Sequence, residues 1–142
     1  LIEKYVAGRE LTVGILDGEA LPVVEIVTPA KFYDYTAKYQ DNRTRYETPA
    51  RLTGDECVEV QRLALRAYKA LGCSVMARVD IILGKDKKPY VLEANTIPGL
   101  TGKSLLPKAA KAAGIDFPDL CVRILELSLE RTKIGISHGQ TS

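Results

Sequence analysis

The sequence predicts an α+β fold in which a mainly antiparallel sheet is flanked by helices, and three local patterns carry this prediction. Runs of β-forming residues open the chain, and the dipeptide Asp17–Gly18 between two of them is typical of a tight hairpin turn. Thr53 and Glu56 stand three residues apart before a helical repeat of apolar residues, which is the pattern of a capping box. The runs Cys73–Leu83 and Pro89–Asn95 flank a short polar turn and predict a second hairpin.

The predicted elements follow one another without an internal repeat. Three strands form an antiparallel meander, and a tyrosine-rich stretch without a clean period follows them. We interpret that stretch as a functional loop, because long structureless loops are uncommon without a role. The predicted bounds are strands 1–6, 11–16 and 21–27, the loop at about 29–51, a helix from Thr53 to Leu71 closed by Gly72, hairpin strands 73–83 and 89–95, a helix from Ser104 to about Ala113 closed by Gly114, and a last helix from Asp116.

Length and composition fit one ordinary globular domain. The chain has 142 residues, of which 46% are hydrophobic and 27% charged, and a domain of this size buries a core without disulfides or a metal. We expect residues 1–131 to form this domain and residues 132–142 to form a disordered tail. The chain begins inside an apolar stretch at Leu1, which is typical of a domain cut from a longer protein.

Charge and hydropathy argue against two classes of partner. The 20 basic residues nearly balance the 18 acidic ones, for a net charge of +2, and no Lys/Arg cluster typical of nucleic-acid binding occurs. No apolar run approaches the roughly 20 residues that a membrane span requires, and no signal peptide is visible. We therefore expect neither nucleic acid nor a membrane as a partner.

Cysteine and histidine usage argues against several kinds of catalytic centre. The cysteines Cys57, Cys73 and Cys121 are widely spaced and form no C-x-x-C pair, so neither a zinc site nor a redox motif is predicted. The single histidine, His138, lies in the polar end of the chain, which argues against a histidine-dependent triad. We expect the cysteines to be small buried residues in a reducing cytoplasm.

Four polar side chains are predicted to share one face of the second hairpin. Side chains alternate between faces along a strand, so Arg78 shares a face with Asp80, and Glu93 shares one with Asn95. A four-residue turn over Lys85–Lys88 sets a register that places Asp80 opposite Glu93 and Arg78 opposite Asn95. The residues between them are apolar, which predicts that the opposite face of the hairpin is buried.

This arrangement predicts a magnesium site. Opposed strand residues have Cβ atoms roughly 4.5–5.5 Å apart, and two carboxylates at that distance repel each other unless a cation or proton intervenes. Mg²⁺ binds oxygen ligands and takes one or two protein carboxylates, so Asp80, Glu93 and the amide oxygen of Asn95 suit it. Arg78 adds a fixed cation for a phosphoryl oxygen. The spacing alone leaves open a charged surface with an Arg–Asp pair, because a one-residue slip in register reverses the faces.

The loop Pro98–Ser104 follows directly and precedes a predicted helix. Its glycines allow a backbone to approach a ligand closely, and a helix N-terminus attracts anions, so a carboxylate or phosphate suits this loop. A capped turn without a ligand is the alternative. The end of the loop, Gly102–Ser104, imitates a Walker A motif, but Ile97 stands where that motif requires its first glycine.

These motifs resemble one known family. Arg78–Asp80, Leu92–Thr101 and the segment Ser104–Pro107 are similar to the C-terminal ATP-grasp lobe of the D-alanine–D-alanine ligase family. Ile2–Glu10 resembles the nucleotide-binding strands of that family, and Phe32–Tyr39 resembles its mobile omega loop. The resemblance covers about residues 1–131, in the order that the family has.

The resemblance implies a role for each residue of the site. Glu3 and the backbone of Lys4, Tyr5 and Val6 would hold adenine, and Glu10 the ribose hydroxyls. Lys38 would reach the γ-phosphate, and the hairpin residues would bind two Mg²⁺ or Mn²⁺ ions. Arg78, Gly99 and Ser104–Leu105 would contact the amino-acid substrates and the tetrahedral intermediate. Tyr39 corresponds to a tyrosine that, in this family, marks ligases that use D-alanine as the second substrate.

The implied reaction joins two D-alanines at the expense of ATP through a D-alanyl phosphate, for peptidoglycan synthesis in the cytoplasm. The family's N-terminal and central domains are not recognised in the sequence, so we expect the chain alone to bind nucleotide weakly and to be inactive. The full-length enzyme is expected to be a homodimer. Two alternatives stay open: another ATP-grasp carboxylate–amine ligase such as the D-lactate-using relative, and a non-catalytic nucleotide-binding domain.

Overall fold

One central sheet with helices packed on it forms the core of the computed structural model, which describes the backbone of residues 2–28 and 44–137 and the side chains of residues 2–28 and 44–131. Within these ranges six strands form an antiparallel sheet and three helices pack against it, which confirms the predicted α+β fold. The strands are β1 (Gly8–Leu16), β2 (Glu19–Ala20), β3 (Val24–Val27), β4 (Arg45–Glu47), β5 (Met76–Gly84) and β6 (Pro89–Asn95), and the helices are α1 (Gly54–Ala70), α2 (Leu105–Ala112) and α3 (Phe117–Ser137).

The sheet has the order β4-β3-β1-β5-β6, and β2 pairs with the end of β1. β1 is therefore a central strand, antiparallel to both β3 and β5. Residues 11–16 of β1 are all buried, although side chains alternate between faces along a strand. Both faces of this part of the sheet are consequently covered, one by α1 and the other by α2 and α3.

Helix α1 begins and ends as the sequence predicts. The Glu56 amide donates to Thr53 Oγ1 at 3.3 Å and the Thr53 amide donates to Glu56 Oε2 at 3.0 Å, which completes the capping box. Gly72 follows the helix with a positive φ of 63°, the conformation expected of a closing glycine. The buried face of α1 packs on β1 and β5, where the core contains Leu11, Val13, Ile15, Val60, Ala64, Tyr68, Ala77, Val79, Ile81 and Leu83.

Helix α2 covers the other face of the sheet near the end of β1. Gly14 allows this contact, because a Cβ at this position would lie 2.7 Å from Leu106 Cδ1. Leu16 and Leu106 belong to the same buried cluster as Leu120 of α3. Residues on this face of β5 thus lie next to the start of α2, which brings the Pro98–Ser104 loop toward the hairpin.

The first predicted strand is wrong. β1 begins at Gly8, and residues 2–7 have no strand pairing. Ile2 is 100% exposed and Tyr5 73% exposed, so the apolar side chains of this segment are not buried against the described part of the chain. β-propensity reflects packing on a half-buried surface, and a segment without that surface does not form a strand from propensity alone.

Two further predicted boundaries differ from the structure. The expected loop at 29–51 contains β4, which pairs with β3 through Glu25 and Glu47, while residues 29–43 lie outside the described residues. Helix α3 continues to Ser137, so residues 132–137 of the expected tail are helical. These residues include no proline and directly continue a helix, and nothing in their composition interrupts its hydrogen bonds. Residues 138–142 are outside the described part.

Val75, just before β5, has a strained backbone. Its φ is 63°, a value at which a β-branched residue is rarely found, and the Met76 amide donates to the Ser74 carbonyl at 2.7 Å across it. A turn of this kind with positive φ is rare and strained. The Asp17 amide also donates to the Val75 carbonyl at 2.7 Å, which fixes the turn against the β1–β2 hairpin.

Val75→Asn is expected to stabilise the protein. Asn adopts a positive φ more readily than a β-branched residue does, and a sparsely populated backbone conformation costs of order 1–3 kcal/mol. We expect a rise in Tm of roughly 2–4 °C by calorimetry. Val58→Asn is the matched control, because Val58 is an exposed residue within α1 and the two residue types have similar helix propensity. An unchanged or lower Tm for Val75→Asn would contradict the strain at this turn.

Candidate functional site

The hairpin of β5 and β6 brings the four predicted polar residues together. Asp80 pairs with Glu93 and Arg78 pairs with Asn95, so all four side chains lie on one face of the sheet, as the alternation predicts. The intervening Val79 is fully buried on the opposite face. The predicted register at the site is therefore confirmed.

The turn length and the strand pairing that produce this register differ from the prediction. Leu83, not Gly84, pairs with Pro89, so the turn is one residue longer than predicted. A bulge then shifts the register between Asp80 and Ile81, where Leu92 is the extra residue on β6. Without this bulge the register of the turn would place Asp80 opposite Leu92. The bulge thus restores the alignment of the two carboxylates, and such irregularities commonly re-aim side chains next to active sites.

Arg78 lies between the two carboxylates. Its Nε donates to Asp80 Oδ1 at 2.9 Å and its Nη2 to Asp80 Oδ2 at 2.7 Å, while Nη2 is 3.9 Å from Glu93 Oε1. The side chains of Arg78 and Asp80 are only 12% and 15% exposed, whereas that of Glu93 is 62% exposed. Two carboxylates and one guanidinium leave the cluster with a net negative charge, which favours a further cation.

Asn95 is fixed at the end of β6 by its own side chain. Its Oδ1 accepts a hydrogen bond from the Ile97 amide at 3.0 Å, the pattern of an Asx turn. An amide oxygen has two acceptor lone pairs, so this contact leaves one of them for a second partner. Asn95 therefore suits a metal as a single oxygen ligand held in a defined direction.

The donor set fits Mg²⁺. In the described ranges no three side chains of the types His, Cys, Asp and Glu group closely enough to hold a metal ion, so Asp80 and Glu93 are a pair of carboxylates supplemented by Asn95. Mg²⁺ characteristically takes one or two carboxylates and completes its shell with water and substrate phosphates. The residues present thus match a hard divalent cation that is shared with a phosphate ligand.

Glu10 lies on the same face of the sheet as this cluster. Thr12 pairs with Asp80 and Glu10 pairs with Ile82, so Glu10 is displaced from the Asp80 position by two residues, about 7 Å along the strand. The structure thus places the residue assigned to ribose beside the residues assigned to metal. An extended ligand lying along β1 and β5 can reach both.

The segment assigned to adenine lies beside the turn of the hairpin. Lys4, Tyr5 and Val6 line a surface cavity of about 290 Å³ with Gly84–Asp86 and Tyr90, and the Lys85 amide donates to the Ala7 carbonyl at 3.3 Å. Glu3 is exposed and is not among the residues lining this cavity. The backbone predicted to hold a base is therefore at the same end of the sheet as Glu10.

The sequence analysis missed the pair that forms the outer wall of this cavity. The Tyr90 hydroxyl donates to Asp86 Oδ2 at 2.7 Å, and this hydrogen bond lowers the pKa of the Asp86 carboxyl. Gly84 provides the necessary space, because a Cβ there would lie 2.4 Å from Asp86 Oδ1. The four-residue spacing of Asp86 and Tyr90 across a turn is the only sequence signal for the pair, and it is a weak one.

The Pro98–Ser104 loop is arranged around the Ser104 hydroxyl. Ser104 is the N-cap residue of α2, and the Thr101 amide donates to Ser104 Oγ at 3.2 Å. A Cβ at Gly99 would lie 3.0 Å from the same oxygen, so glycine leaves room for the hydroxyl. Leu105, the first residue of α2, is partly buried and packs against the core cluster that contains Leu106 and Leu120. The structure therefore brings Gly99, Ser104 and Leu105 together, whereas Lys38 and Tyr39 lie outside the described residues.

The sheet topology and the carboxylate–amide cluster on its hairpin define the C-terminal lobe of an ATP-grasp enzyme. A family model described as "D-ala D-ala ligase C-terminus" matches residues 1–126. The chain belongs to this family, and the resemblance seen in its motifs is confirmed.

Relatives and solved structures agree with this membership. A D-alanine--D-alanine ligase of Methylacidiphilum infernorum is 55% identical over 139 residues, which are 98% of this chain and 45% of that protein. The crystal structure of the D-alanine--D-alanine ligase of Bacillus anthracis complexed with ATP matches with a TM-score of 0.80 and 47% identity, over 94% of this chain and 43% of that one. The VanG D-Ala:D-Ser ligase of Enterococcus faecalis matches with a TM-score of 0.72 and 31% identity, over 87% and 37%. The chain thus spans less than half the length of these proteins.

Proposed function

We propose that the chain is the C-terminal catalytic lobe of a D-alanine–D-alanine ligase, which joins two D-alanines with ATP through a D-alanyl phosphate for peptidoglycan synthesis. Family membership supports this proposal, and the observation that carries it is the carboxylate pair Asp80–Glu93 with Arg78 on one face of a hairpin.

Asp80, Glu93 and Asn95 would hold Mg²⁺ or Mn²⁺, with two ions expected in the complete site. Ions held there would supply positive charge that neutralises the phosphates during phosphoryl transfer. The protein contributes orientation: Arg78 fixes the Asp80 carboxylate with two hydrogen bonds, and the Ile97 amide fixes the Asn95 side chain. Both ligands are thus held in place before a nucleotide binds.

The nucleotide would lie along the sheet from residues 4–6 to the hairpin. Lys4, Tyr5 and Val6 would hold adenine through their backbone, with Glu3 beside them, and Glu10 would bind the ribose hydroxyls. The common face of Glu10 and Asp80 supports this path. Lys38 would add a positive charge at the γ-phosphate, where charge accumulates as the phosphoryl group is transferred.

The remaining residues would position the amino acids and exclude water. The carboxylate of one D-alanine attacks the γ-phosphate of ATP, ADP leaves, and the amine of the second D-alanine then displaces inorganic phosphate from the acyl phosphate. Arg78 would place a fixed positive charge beside the developing oxyanion, and Ser104, Leu105 and the backbone at Gly99 would hold a substrate carboxylate. The loop with Lys38 and Tyr39 would protect the acyl phosphate from hydrolysis.

The second substrate is proposed to be D-alanine, because Tyr39 follows Lys38 directly. The fold does not decide this point, since a D-Ala:D-Ser ligase has a similar C-terminal lobe. We further propose that the enzyme acts as a homodimer in the cytoplasm. In the described portion, no helix has the length and apolarity needed to cross a membrane.

Product analysis of the full-length protein that contains these residues tests the proposal. The protein is incubated with Mg·ATP and D-alanine, alone or with D-lactate or D-serine, and products are identified by mass. We expect D-alanyl-D-alanine and an equimolar amount of phosphate under all three conditions. A depsipeptide or a mixed D-alanyl-D-serine product as the main species would overturn the choice of D-alanine, and no product under any condition would overturn the proposed ligase activity.

A further inference from the structure

Ser104 has an unusual position for a helix-capping residue. It is the N-cap of α2, but in the part of the chain that the structure describes its hydroxyl makes no cap hydrogen bond to the helix. An N-cap side chain ordinarily accepts from the amide at the second or third helical position. The third position here is Pro107, which has no amide proton. The hydroxyl has therefore lost its usual third-position partner, and the first-turn amides of Leu105 and Leu106 have no acceptor within the helix.

Thr101 holds this hydroxyl through two contacts. The Thr101 amide donates to Ser104 Oγ at 3.2 Å, and the Thr101 and Ser104 hydroxyl oxygens are 2.9 Å apart. The backbone closes the same turn, because the Ser104 amide donates to the Thr101 carbonyl at 2.9 Å. Pro98 is buried at the start of the loop. The position of the Ser104 oxygen is thus determined by the loop and not by the helix.

The donors and acceptors around the Ser104 hydroxyl indicate how its proton can be used. A serine oxygen has two acceptor lone pairs and one proton to donate. The Thr101 amide occupies one lone pair, and when the Thr101 hydroxyl donates to the same oxygen it occupies the second. The Ser104 proton then has no acceptor in this pair. In that arrangement it can be donated to a ligand at the start of α2, where the first-turn amides have no acceptor within the helix.

We propose that the Thr101 hydroxyl is the donor in its contact with Ser104 Oγ and that Thr101 is thereby a positioning residue of the site: with the Thr101 amide it fills both acceptor positions of that oxygen, so that the Ser104 proton and the first amides of α2 can bind one substrate carboxylate. This inference rests on the proposed ligase function and deepens it. It names a residue whose hydroxyl would act on the substrate only through Ser104.

Thr101→Val in the full-length protein tests the proposal, because valine preserves the shape of threonine and the backbone amide but removes the hydroxyl. We expect KM for one of the two D-alanines to rise about tenfold, the order of effect of a weakened hydrogen bond to a charged group. KM for the other D-alanine and for ATP should stay within about twofold, as should kcat, because the metal and nucleotide contacts are on the hairpin. Thr101→Ser, which retains the hydroxyl, should restore KM to near the wild-type value.

The double variant Thr101→Val/Ser104→Ala separates positioning from a merely structural effect. If Thr101 acts through Ser104, the double variant has the same KM as Ser104→Ala alone, and the two effects are not additive. Additive effects, an unchanged KM in Thr101→Val, or a failure of Thr101→Ser to restore KM would overturn the proposal. If Thr101→Val does not fold, Thr101→Ala combined with Ser104→Ala gives the same comparison. A wild-type protein that makes no dipeptide would instead refute the ligase function. Failure of the ligase function is thus distinguishable from failure of the proposed role of Thr101.

Discussion

Replacing Glu93 by Gln is expected to lower phosphate release that depends on Mg·ATP and D-alanine by at least about 10²–10³-fold, and Asp80→Asn is expected to have the same effect. Either change removes one negative charge from the metal ligands, and groups that stabilise charge in a water-excluded site commonly contribute this much. The measurement is phosphate release by the full-length protein at saturating ATP.

The effect of Glu93→Gln is separable from loss of stability. Glu93 is 62% exposed and lies 3.9 Å from Arg78, so Glu93→Gln should change the free energy of unfolding by less than about 0.5 kcal/mol. Glu59→Gln is the matched control, because Glu59 also pairs with an arginine but is on α1, which packs on the opposite face of the sheet. It should retain wild-type activity. Normal turnover in Glu93→Gln or Asp80→Asn would refute the assignment of the metal ligands.

Arg78→Lys is expected to lower kcat roughly 100-fold while KM for ATP changes little. The planar guanidinium holds both oxygens of Asp80 at once, whereas an ammonium is a point charge that cannot keep this two-point geometry. Since each tenfold loss of rate corresponds to about 1.4 kcal/mol, the expected effect is equivalent to the loss of about one charge-assisted hydrogen bond in the transition state.

Arg62→Lys controls for the chemical change itself. Arg62 also contacts both oxygens of a carboxylate, at 2.9 and 2.8 Å from Glu59, but this pair is exposed on α1. Exposed ion pairs contribute little to stability, so both kcat and Tm should be unchanged. A wild-type kcat for Arg78→Lys would show that positive charge alone suffices at position 78, and the proposed role of the guanidinium would be wrong.

The sequence predicts most of the hairpin that carries the site, because side-chain alternation is a strict property of a strand. Asp80 and Glu93 are opposite each other as predicted. The bulge at Leu92 could not be predicted, since turn length and bulge compensate for each other and only their sum determines the register at the site. The agreement at Asp80 thus depends on an irregularity that the apolar pattern does not reveal.

The partner of Arg78 was also beyond sequence reasoning. Alternation places Arg78 and Asp80 on one face, but it does not say whether the guanidinium points at the neighbouring carboxylate or at a ligand. The structure shows the ion pair at 2.7 Å. This ion pair orients the guanidinium beside Asp80 and Glu93, where the proposed mechanism requires a fixed positive charge, so the two interpretations are compatible.

The role of Ser104 in the loop before α2 could not be predicted from the sequence either. Glycines and a following helix indicate a site for an anion, yet the sequence suggests Ser104 as an ordinary helix cap. Only the structure shows that Thr101 holds the Ser104 hydroxyl instead. Pro107 carries a signal that could have been recognised, because a proline three residues after an N-cap removes the amide that the cap would bind.

Paramagnetic relaxation by Mn²⁺ bound with a non-hydrolysable ATP analogue tests the central claim most directly, because the effect falls steeply with distance from the ion. In the full-length protein we expect the strongest broadening at the amides of residues 78–80 and 93–95, with little effect in Glu93→Gln at the same Mn²⁺ concentration. A second acidic surface provides the contrast: a cavity of about 300 Å³ near the end of β1 is lined by Asp17, Glu19, Glu126 and Glu130. Broadening centred on that cavity, or broadening unaffected by Glu93→Gln, would contradict the assignment of the hairpin as the metal site.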